Sequence, residues 1–320
     1  MRSLGTCLLA AGAPWACIGS PEPGQGQDTQ TSTKQERPAP PILPSEKDLG
    51  RRARHHVAKL VAFGPRVPGS RARRKAADYI AARLRALGLT PIREAWTDAK
   101  ERIRFENLRV VFPGRSPKVL LIGTHYDTKW KLGDPARGRV FTGANDGGSG
   151  SGLLLALAED LVHLGLERPS LELVWFDGEE SLEVEWNVSR ALFGSRKFVE
   201  MHLVKGHRYG AFVLLDMVGD RDLAIDLDER STRALAEPIR DAAGKLGYSR
   251  CFFQKKTDVE DDHVPFLAAG LPSLDLIQFE SNPRWHTYED RLEFISARSL
   301  AIVGRTLLQA LPEIETGFLR

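Results

Sequence analysis

The sequence lacks the features that define several protein classes. Its 320 residues include only three cysteines (Cys7, Cys17 and Cys251), too few for a disulfide scaffold, and none forms the CxxC pair of a zinc ribbon. No run of about 18 uncharged apolar residues follows the N-terminus, which excludes a polytopic membrane protein. Lys and Arg number 45 against 42 Asp and Glu, a balance that argues against a protein built to bind nucleic acid. A metal site must therefore use histidine and carboxylate ligands.

The first 44 residues differ in composition from the rest. Residues 1–17 place one basic residue before an apolar stretch, which predicts a secretory signal. Cys17 offers a second interpretation, the lipid-attached cysteine of a bacterial lipoprotein, and a disordered cytoplasmic tail is the third. Residues 18–44 are rich in Pro, Gln, Ser and Thr, so we expect a disordered linker. We expect an exported chain, periplasmic or secreted, without a transmembrane span.

Residues 45–320 predict a single domain in which helices alternate with strands. Ser70 is a typical N-cap, and Gly88 stands where a helix C-terminal glycine belongs. The alternation predicts an α/β fold, a three-layer α/β/α sandwich with a central, mostly parallel mixed sheet. The basic run 71–75 is interpreted as a solvated helix face rather than a nucleic-acid patch. We expect strands at 102–112, 119–125, 171–176, 212–218 and 273–279, and helices at 45–61, 70–87, 149–164, 189–201, 230–246 and 297–311.

Polar side chains stand at the ends of the predicted strands. His125 ends one buried strand, and Asp127, two residues later, suits a residue that orients a metal-bound imidazole. Glu179 and Glu180 follow another strand, where adjacent carboxylates suggest a compensating cation or a shared proton. Asp216 interrupts a third apolar run, which is costly unless the carboxylate is paired or liganded. In parallel sheets, these strand ends are where ligands bind.

Several of these positions also have simpler interpretations. Asp146 lies in a glycine-rich segment that lacks the lysine of a phosphate-binding loop, so it suits a cation, although a helix N-cap is equally simple. The stretch 177–180 also fits a solvated acidic turn, and Asp262 also fits a helix cap. Together with His286, the residues fit a zinc site with nitrogen and oxygen ligands and an open position.

The order of these residues resembles that of the co-catalytic zinc aminopeptidase superfamily. Within it, longer stretches are similar to the animal-type glutaminyl-peptide cyclotransferases, the glutaminyl cyclases. The two most discriminating stretches are 260–266 (EDDHVPF) and the Trp285-His286-Thr287 triplet. The resemblance extends from about Ser45 to the C-terminus and implies a zinc-aminopeptidase-like fold.

The resemblance implies a zinc-dependent acyltransferase of the aminoacyltransferase class. Such an enzyme converts the N-terminal Gln of a peptide or protein to pyroglutamate and releases ammonia. One Zn²⁺ per chain is expected, and we expect a monomer. By residue, the resemblance implies metal ligands Asp146, Glu180 and His286, catalytic residues Glu179, Asp216 and Asp261, and substrate-binding residues Trp186, Trp285 and Glu260.

The chain departs from the family pattern at several positions. Thr124 stands where the animal enzymes have a disulfide cysteine, so that bridge is absent. Glu260 replaces an amide residue, and Ser281 replaces an aromatic pocket residue. The segment before Trp186 is one residue longer.

Two other functions remain open. In a two-zinc aminopeptidase, His125, Asp146 and Asp216 form a complete ligand set for a second metal, with Asp146 as the bridge. A catalytically inactive binding module is the third possibility, but such a relative is expected to have lost ligands or the acid/base, and here all are present.

Overall fold

The computed structural model describes residues 43–130, 140–163 and 168–320. The leader predicted at 1–17, with the lipid-attachment position Cys17, lies outside the described residues, as does almost all of the linker predicted at 18–44. Within the described ranges, no helix combines the length and the apolar character needed to cross a membrane.

Strands and helices alternate along the described chain, as the sequence predicts. Most predicted elements are found within a few residues of their expected bounds. In chain order, the elements are α1 Glu46–Ala62, α2 Arg71–Ala86, β1 Ile92–Thr97, β2 Arg104–Phe112, β3 Val119–His125, α3 Gly148–His163, β4 Ser170–Phe176, α4 Phe193–His202, β5 Tyr209–Asp216, β6 Ile225–Asp228, α5 Arg233–Lys245, β7 Phe252–Thr257, α6 His263–Ala268, β8 Ser273–Ile277 and α7 Ala297–Phe318.

The first two helices begin where their capping residues predict. The Ser45 hydroxyl accepts the backbone N–H of Asp48 at 3.1 Å, and the Ser70 hydroxyl accepts that of Arg73 at 3.0 Å. Gly88 follows α2 with φ +76°, the left-handed conformation that ends helices and that glycine adopts without strain.

Two helix bounds differ from the prediction by four residues or more. The helix expected from residue 189 begins only at Phe193, because Leu192 has φ 55° and a left-handed residue cannot continue a right-handed helix. Helix α7 continues past the predicted end at 311 to Phe318, with Pro312 inside it. The packing of α7 against α1 and α5 stabilises this longer helix.

The eight strands form one mixed sheet in the order β1-β2-β4-β3-β5-β8-β6-β7. Four pairings are parallel, β3–β4, β3–β5, β5–β8 and β6–β7, and three are antiparallel. The predicted mostly parallel mixed sheet is therefore confirmed. Three strands were not predicted from the sequence. Strands β1 and β7 are edge strands with exposed side chains, and β6 has only four residues.

Helices cover both faces of the sheet, so the predicted three-layer sandwich is confirmed. Side chains of β3 alternate between two cores: Leu120 and Ile122 face one core, and Val119 and Leu121 face the other. The larger core includes α1, α2, α3, α5 and α7. The smaller core is aromatic and packs α4 and α6 against the opposite face, through Phe176, Phe198, Phe212 and Phe266.

The order of the four central strands positions the site. Strands β4, β3, β5 and β8 are mutually parallel neighbours, so their carboxyl ends meet at one edge of the sheet. The loops that follow these strands therefore converge.

Candidate active site

The loops at the carboxyl edge of the sheet enclose a cavity of about 300 Å³. The strands place several predicted residues beside this cavity. Glu179 and Glu180 follow the end of β4, and Asp216 is the last residue of β5. The predicted site residues that line the cavity are Asp146, Glu179, Glu180, Trp186, Asp216, Glu260, Asp261, Trp285 and His286.

Asp146, Glu180 and His286 form one cluster with the donor set of a metal site. The Nε2 atom of His286 lies 3.5 Å from Oδ2 of Asp146 and 3.2 Å from Oε2 of Glu180. One ligand atom from each residue lies within 4.8 Å of the other two. Two carboxylates and an imidazole are ligands that zinc accepts.

His125, Asp146 and Asp216 form a second cluster that shares Asp146 with the first. The Nε2 atom of His125 lies 3.3 Å from Oδ1 of Asp146 and 3.2 Å from Oδ1 of Asp216. The other ring nitrogen, Nδ1, lies 3.5 Å from Oδ1 of Asp127. Both ligand sets that the sequence suggested are thus brought together, one on each side of Asp146.

The donor atoms of the first cluster fit a bound cation. The Oδ2 atom of Asp146 and the Oε1 atom of Glu180 are buried and accept no hydrogen bond from the described residues. Burying a carboxylate oxygen without a donor or cation is costly. The Lys129 ammonium, 3.7 Å from Oε2 of Glu180, offsets part of this charge. A divalent ion between Asp146, Glu180 and His286 would satisfy these oxygens.

Asp127 holds the adjacent glutamates in place. Its two carboxylate oxygens accept the backbone N–H groups of Glu179 at 3.2 Å and Glu180 at 3.4 Å. The same carboxylate faces His125. Asp127 therefore orients residues from the ends of both β3 and β4.

The two adjacent glutamates have opposite electrostatic surroundings. Burial raises the pKa of Glu179 well above its usual value, and repulsion from Asp261 and Glu180 adds to the rise. Burial also acts on Glu180, but His286 and Lys129 outweigh it and lower its pKa. The solvated acidic turn is therefore the wrong interpretation of 177–180, since Glu179 is only 7% exposed and Glu180 only 1%.

Asp216 and Asp261 form an acidic pair among the buried residues that line the cavity. Burial raises the pKa of Asp261 well above its usual value, and the nearby Asp216 raises it further. Burial likewise raises the pKa of Asp216, although His125 opposes the change. The ionisation of one carboxyl therefore disfavours the ionisation of the other, because both are buried and carry the same charge.

Aromatic side chains form the wall of the cavity. Trp285 stacks on His286 with ring centroids 4.2 Å apart, and Trp186 donates its indole N–H to Oε2 of Glu260 at 2.9 Å. Phe279 also lines the cavity and packs against Trp285 at 4.7 Å. Ser281 is not among the residues that line the cavity, and the aromatic surface beside Trp285 comes from Phe279.

Backbone strain accumulates next to the polar clusters. His286 has φ 51° and Met217, directly after Asp216, has φ 47°. Non-glycine residues adopt this left-handed region at a cost of about 1 kcal/mol or more, and such residues occur often at functional sites. Gly147 has φ +75°, and a Cβ there would lie 2.3 Å from the carbonyl oxygen of Asp127. Glycine at 147 thus lets the segment carrying Asp146 pack directly against the end of β3.

The helix-cap interpretation of two acids is not supported by their contacts. Asp262 occupies the N-cap position of α6, but its side chain makes no capping hydrogen bond. Asp146 precedes α3, whose first residue is Gly148, and its carboxylate faces His125 and His286.

Sequence reasoning missed a buried group next to the acidic pair. His263 lies between two carboxylates, 3.0 Å from Oδ2 of Asp228 and 3.6 Å from Oδ2 of Asp275, and all three side chains are inaccessible to solvent. Burial raises the pKa of Asp275 well above its usual value, and repulsion from Asp261 and Asp216 adds to the rise. The sequence does contain a signal for Asp275. Like Asp216, it is a carboxylate that interrupts an apolar run, which is costly unless it is paired.

Comparison with known proteins identifies the family of this chain. The profile of Peptidase family M28 matches residues 107–311. A glutaminyl-peptide cyclotransferase of Boiga irregularis is 30% identical over 236 residues, 63% of this chain and 64% of that protein. The crystal structure of an Acidobacteriales bacterium glutaminyl cyclase has a TM-score of 0.79 and 33% identity, covering 88% of this chain and 99% of that one. A Zn-dependent exopeptidase from Parabacteroides distasonis has a TM-score of 0.74 and 28% identity, covering 85% and 99%.

The chain belongs to peptidase family M28, whose profile matches more than half of its length. Within that family it groups with the bacterial glutaminyl cyclases, because one of them aligns over 99% of its own length at 33% identity. The resemblance seen in the sequence is thereby confirmed. The alignment spans only 64% of the length of the curated relative from Boiga irregularis.

Proposed function

We propose that the protein is a glutaminyl-peptide cyclotransferase. Its substrate is a peptide or protein with an N-terminal Gln, and its products are the pyroglutamyl chain and ammonia. The observation that carries this proposal is the arrangement of Glu179, a buried carboxyl with a raised pKa, beside the Asp146–Glu180–His286 cluster in an aromatic-walled cavity. The cyclase relatives support the same activity.

One zinc ion per chain is proposed at Asp146, Glu180 and His286. The buried oxygens without hydrogen-bond donors support this ligand set, and an exopeptidase neighbour is named as Zn-dependent. When bound, zinc would act as a Lewis acid on the γ-amide carbonyl oxygen of the substrate.

Glu179 is proposed as the acid/base of the reaction. The substrate α-amine forms a bond to its own γ-amide carbon, and Glu179 takes a proton from that amine. The bond from this carbon to the amide nitrogen then breaks, and Glu179 delivers the proton to the departing ammonia. A raised pKa suits a group that must both accept and donate a proton near neutral pH.

Asp216 and Asp261 are proposed to position the substrate through a shared proton. One protonated carboxyl can donate a hydrogen bond while its partner accepts one, so the pair can contact both amide and amine groups. Both side chains are buried and line the cavity, which supports this role.

Trp186, Trp285 and Glu260 are proposed to bind the substrate side chain. Flat aromatic walls exclude water and hold the Gln side chain folded toward its own amine. Because both reacting groups belong to one residue, much of the rate enhancement can come from holding this geometry.

A two-zinc aminopeptidase is the alternative activity. The observation that favours it is the second cluster, His125, Asp146 and Asp216, which has the composition of a complete ligand set. An aminopeptidase would activate a water molecule, whereas the cyclase needs none.

Incubation with a Gln-initiated peptide separates the two activities. The cyclase predicts a product that has lost ammonia, seen by mass spectrometry, and one tightly bound zinc by metal analysis. Release of free amino acids without a pyroglutamyl product, together with two tightly bound zincs, would reject the proposal.

We further propose that the chain is exported as a monomer and that residues 45–320 form its single catalytic domain. The apolar composition of residues 1–17 supports cleavage of a leader, with lipid attachment at Cys17 as the alternative. Cell fractionation, with mass determination of the mature N-terminus, distinguishes a periplasmic or secreted chain from a lipid-anchored or cytoplasmic one.

A further inference from the structure

We infer that Arg66 and Asp290 are positioning residues that clamp the 142–146 loop and so hold Asp146 in its ligand geometry. The inference rests on the proposed metal site, because Asp146 matters most as the residue common to both clusters. Neither Arg66 nor Asp290 lines the cavity.

Arg66 holds the loop by donating hydrogen bonds to backbone carbonyl groups of the loop. Its guanidinium is fully buried and donates to the carbonyl oxygens of Tyr126 at 2.7 Å, Thr142 at 2.8 Å and Gly143 at 2.8 Å. Its backbone N–H donates to the Thr128 hydroxyl at 2.9 Å. A single planar guanidinium therefore ties the 142–146 loop to the segment that follows His125. A lysine has no fork of donors with which to repeat this pattern.

Asp290 holds the same loop by accepting hydrogen bonds from backbone N–H groups of the loop. One carboxylate oxygen accepts the backbone N–H of Asn145 at 2.7 Å, and the other accepts that of Asp146 at 3.0 Å. The backbone carbonyl of Asp290 accepts the Thr142 hydroxyl at 2.9 Å. Asp290 lies four residues after His286, so it also connects the loop to the segment that supplies the imidazole.

The two clamps act on a segment without regular secondary structure. Residues 140–143 belong to no helix or strand, and Gly143 and Gly147 have positive φ, which leaves the backbone few intrinsic restraints. Fixing such a backbone costs conformational entropy, and the buried hydrogen bonds offset that cost. Asp146 is therefore held in place before any metal binds.

The affinity for the metal alone tests this inference. We expect Arg66→Lys and Asp290→Asn each to raise the zinc dissociation constant by about 10–100-fold, measured by competition with a chromogenic chelator. Substituted Co²⁺ should show a changed visible absorption spectrum in both variants, because the ligand geometry changes.

Two control variants carry the same kinds of substitution, Arg to Lys and Asp to Asn, at residues that also bond to the backbone but do not contact the 142–146 loop. Arg52 donates to the carbonyl oxygen of Ala156 in α3, and Asp98 accepts the backbone N–H groups of Lys100 and Glu101 in the β1–β2 turn. Arg52→Lys and Asp98→Asn should leave zinc affinity and the Co²⁺ spectrum unchanged.

Hydrogen exchange of the metal-free protein separates this inference from the metal site itself. Asp290→Asn should speed exchange at the Asn145 and Asp146 amides, because an asparagine side chain has one acceptor oxygen where the carboxylate has two. This expectation holds even if the wild-type chain binds no zinc, a result that would reject only the metal proposal. If Arg66→Lys does not fold, Asp290→Asn decides alone. Folded variants with wild-type zinc affinity and wild-type exchange would overturn the inference.

Discussion

Glu179 and Glu180 are chemically identical neighbours whose surroundings shift their pKa values in opposite directions. Burial and Asp261 raise the pKa of Glu179, whereas His286 and Lys129 overcome burial and lower that of Glu180. Pairs of titratable groups driven apart in this way suit one proton-transfer residue and one metal ligand. The family resemblance assigns the two residues different roles, and the contacts supply a physical reason for that difference.

Replacement of Glu179 by Gln tests the proton-transfer role. The amide keeps the size of the side chain but cannot carry the proton, so we expect kcat to fall by about 10²–10⁴-fold. Zinc content should stay at the wild-type level, because Glu179 is not among the proposed ligands. A variant that keeps its activity would contradict the mechanism.

Phe279 and Ser281 offer a matched test of the cavity wall. Phe279→Ala removes an aromatic surface that packs against Trp285, so we expect KM for a Gln-initiated peptide to rise by about 10-fold, equivalent to about 1.4 kcal/mol. Ser281→Ala should leave KM unchanged, because Ser281 lies outside the cavity lining. Equal effects in steady-state kinetics would show that Phe279 does not contact the substrate.

Among the secondary-structure elements, α3 shows how closely a helix can approach the site. Gly150 lies in α3, and a Cβ there would be 2.3 Å from both the Leu215 carbonyl oxygen and the Thr124 hydroxyl. Gly150 therefore allows α3 to pack closely against β3 and β5. The sequence shows a glycine-rich segment, but the surface that it approaches comes from strands distant in the chain.

Gly150→Ala should destabilise the fold. The added methyl group must displace backbone, so we expect the free energy of unfolding to fall by about 1–3 kcal/mol in urea titrations. Gly244→Ala, in α5, is the control, since its Cβ would meet no atom closer than 3.7 Å. That control should match or exceed wild-type stability by up to about 1 kcal/mol, because alanine favours helix. Equal stability of both variants would contradict the close packing at Gly150.

For the whole molecule, a formal net charge of +3 hides a concentration of buried acids. The carboxylates that line the cavity, and those buried next to it, cannot all be charged without a compensating cation. Burial raises the pKa of Asp262 to about 7, and burial together with Asp146 raises that of Asp290 to about 7. Stability of the metal-free protein must therefore depend on pH.

The metal-free protein should lose stability as the pH rises from about 4 to about 7. Over this range the folded chain keeps protons on Asp262 and Asp290 that the unfolded chain has released, so deprotonation favours unfolding. The raised pKa of His286 acts in the same direction near neutral pH. Urea unfolding in the presence of a chelator measures this slope. Added zinc should reduce it, and a stability that rises over the same pH range would contradict the expectation.

The sequence by itself determined the fold class, the central strands and the residue types of the site. Apolar residues that recur with periods of two and 3.6 residues, and capping residues such as Ser70, are local features. They predict strands and helices directly from the sequence. Only the tertiary structure decided that Phe279 lines the cavity beside Trp285, that Arg66 and Asp290 hold the loop carrying Asp146, and that His263 lies buried between two carboxylates. Those contacts join residues far apart in the chain, so strand register and loop path set them, and neither is encoded in local periodicity.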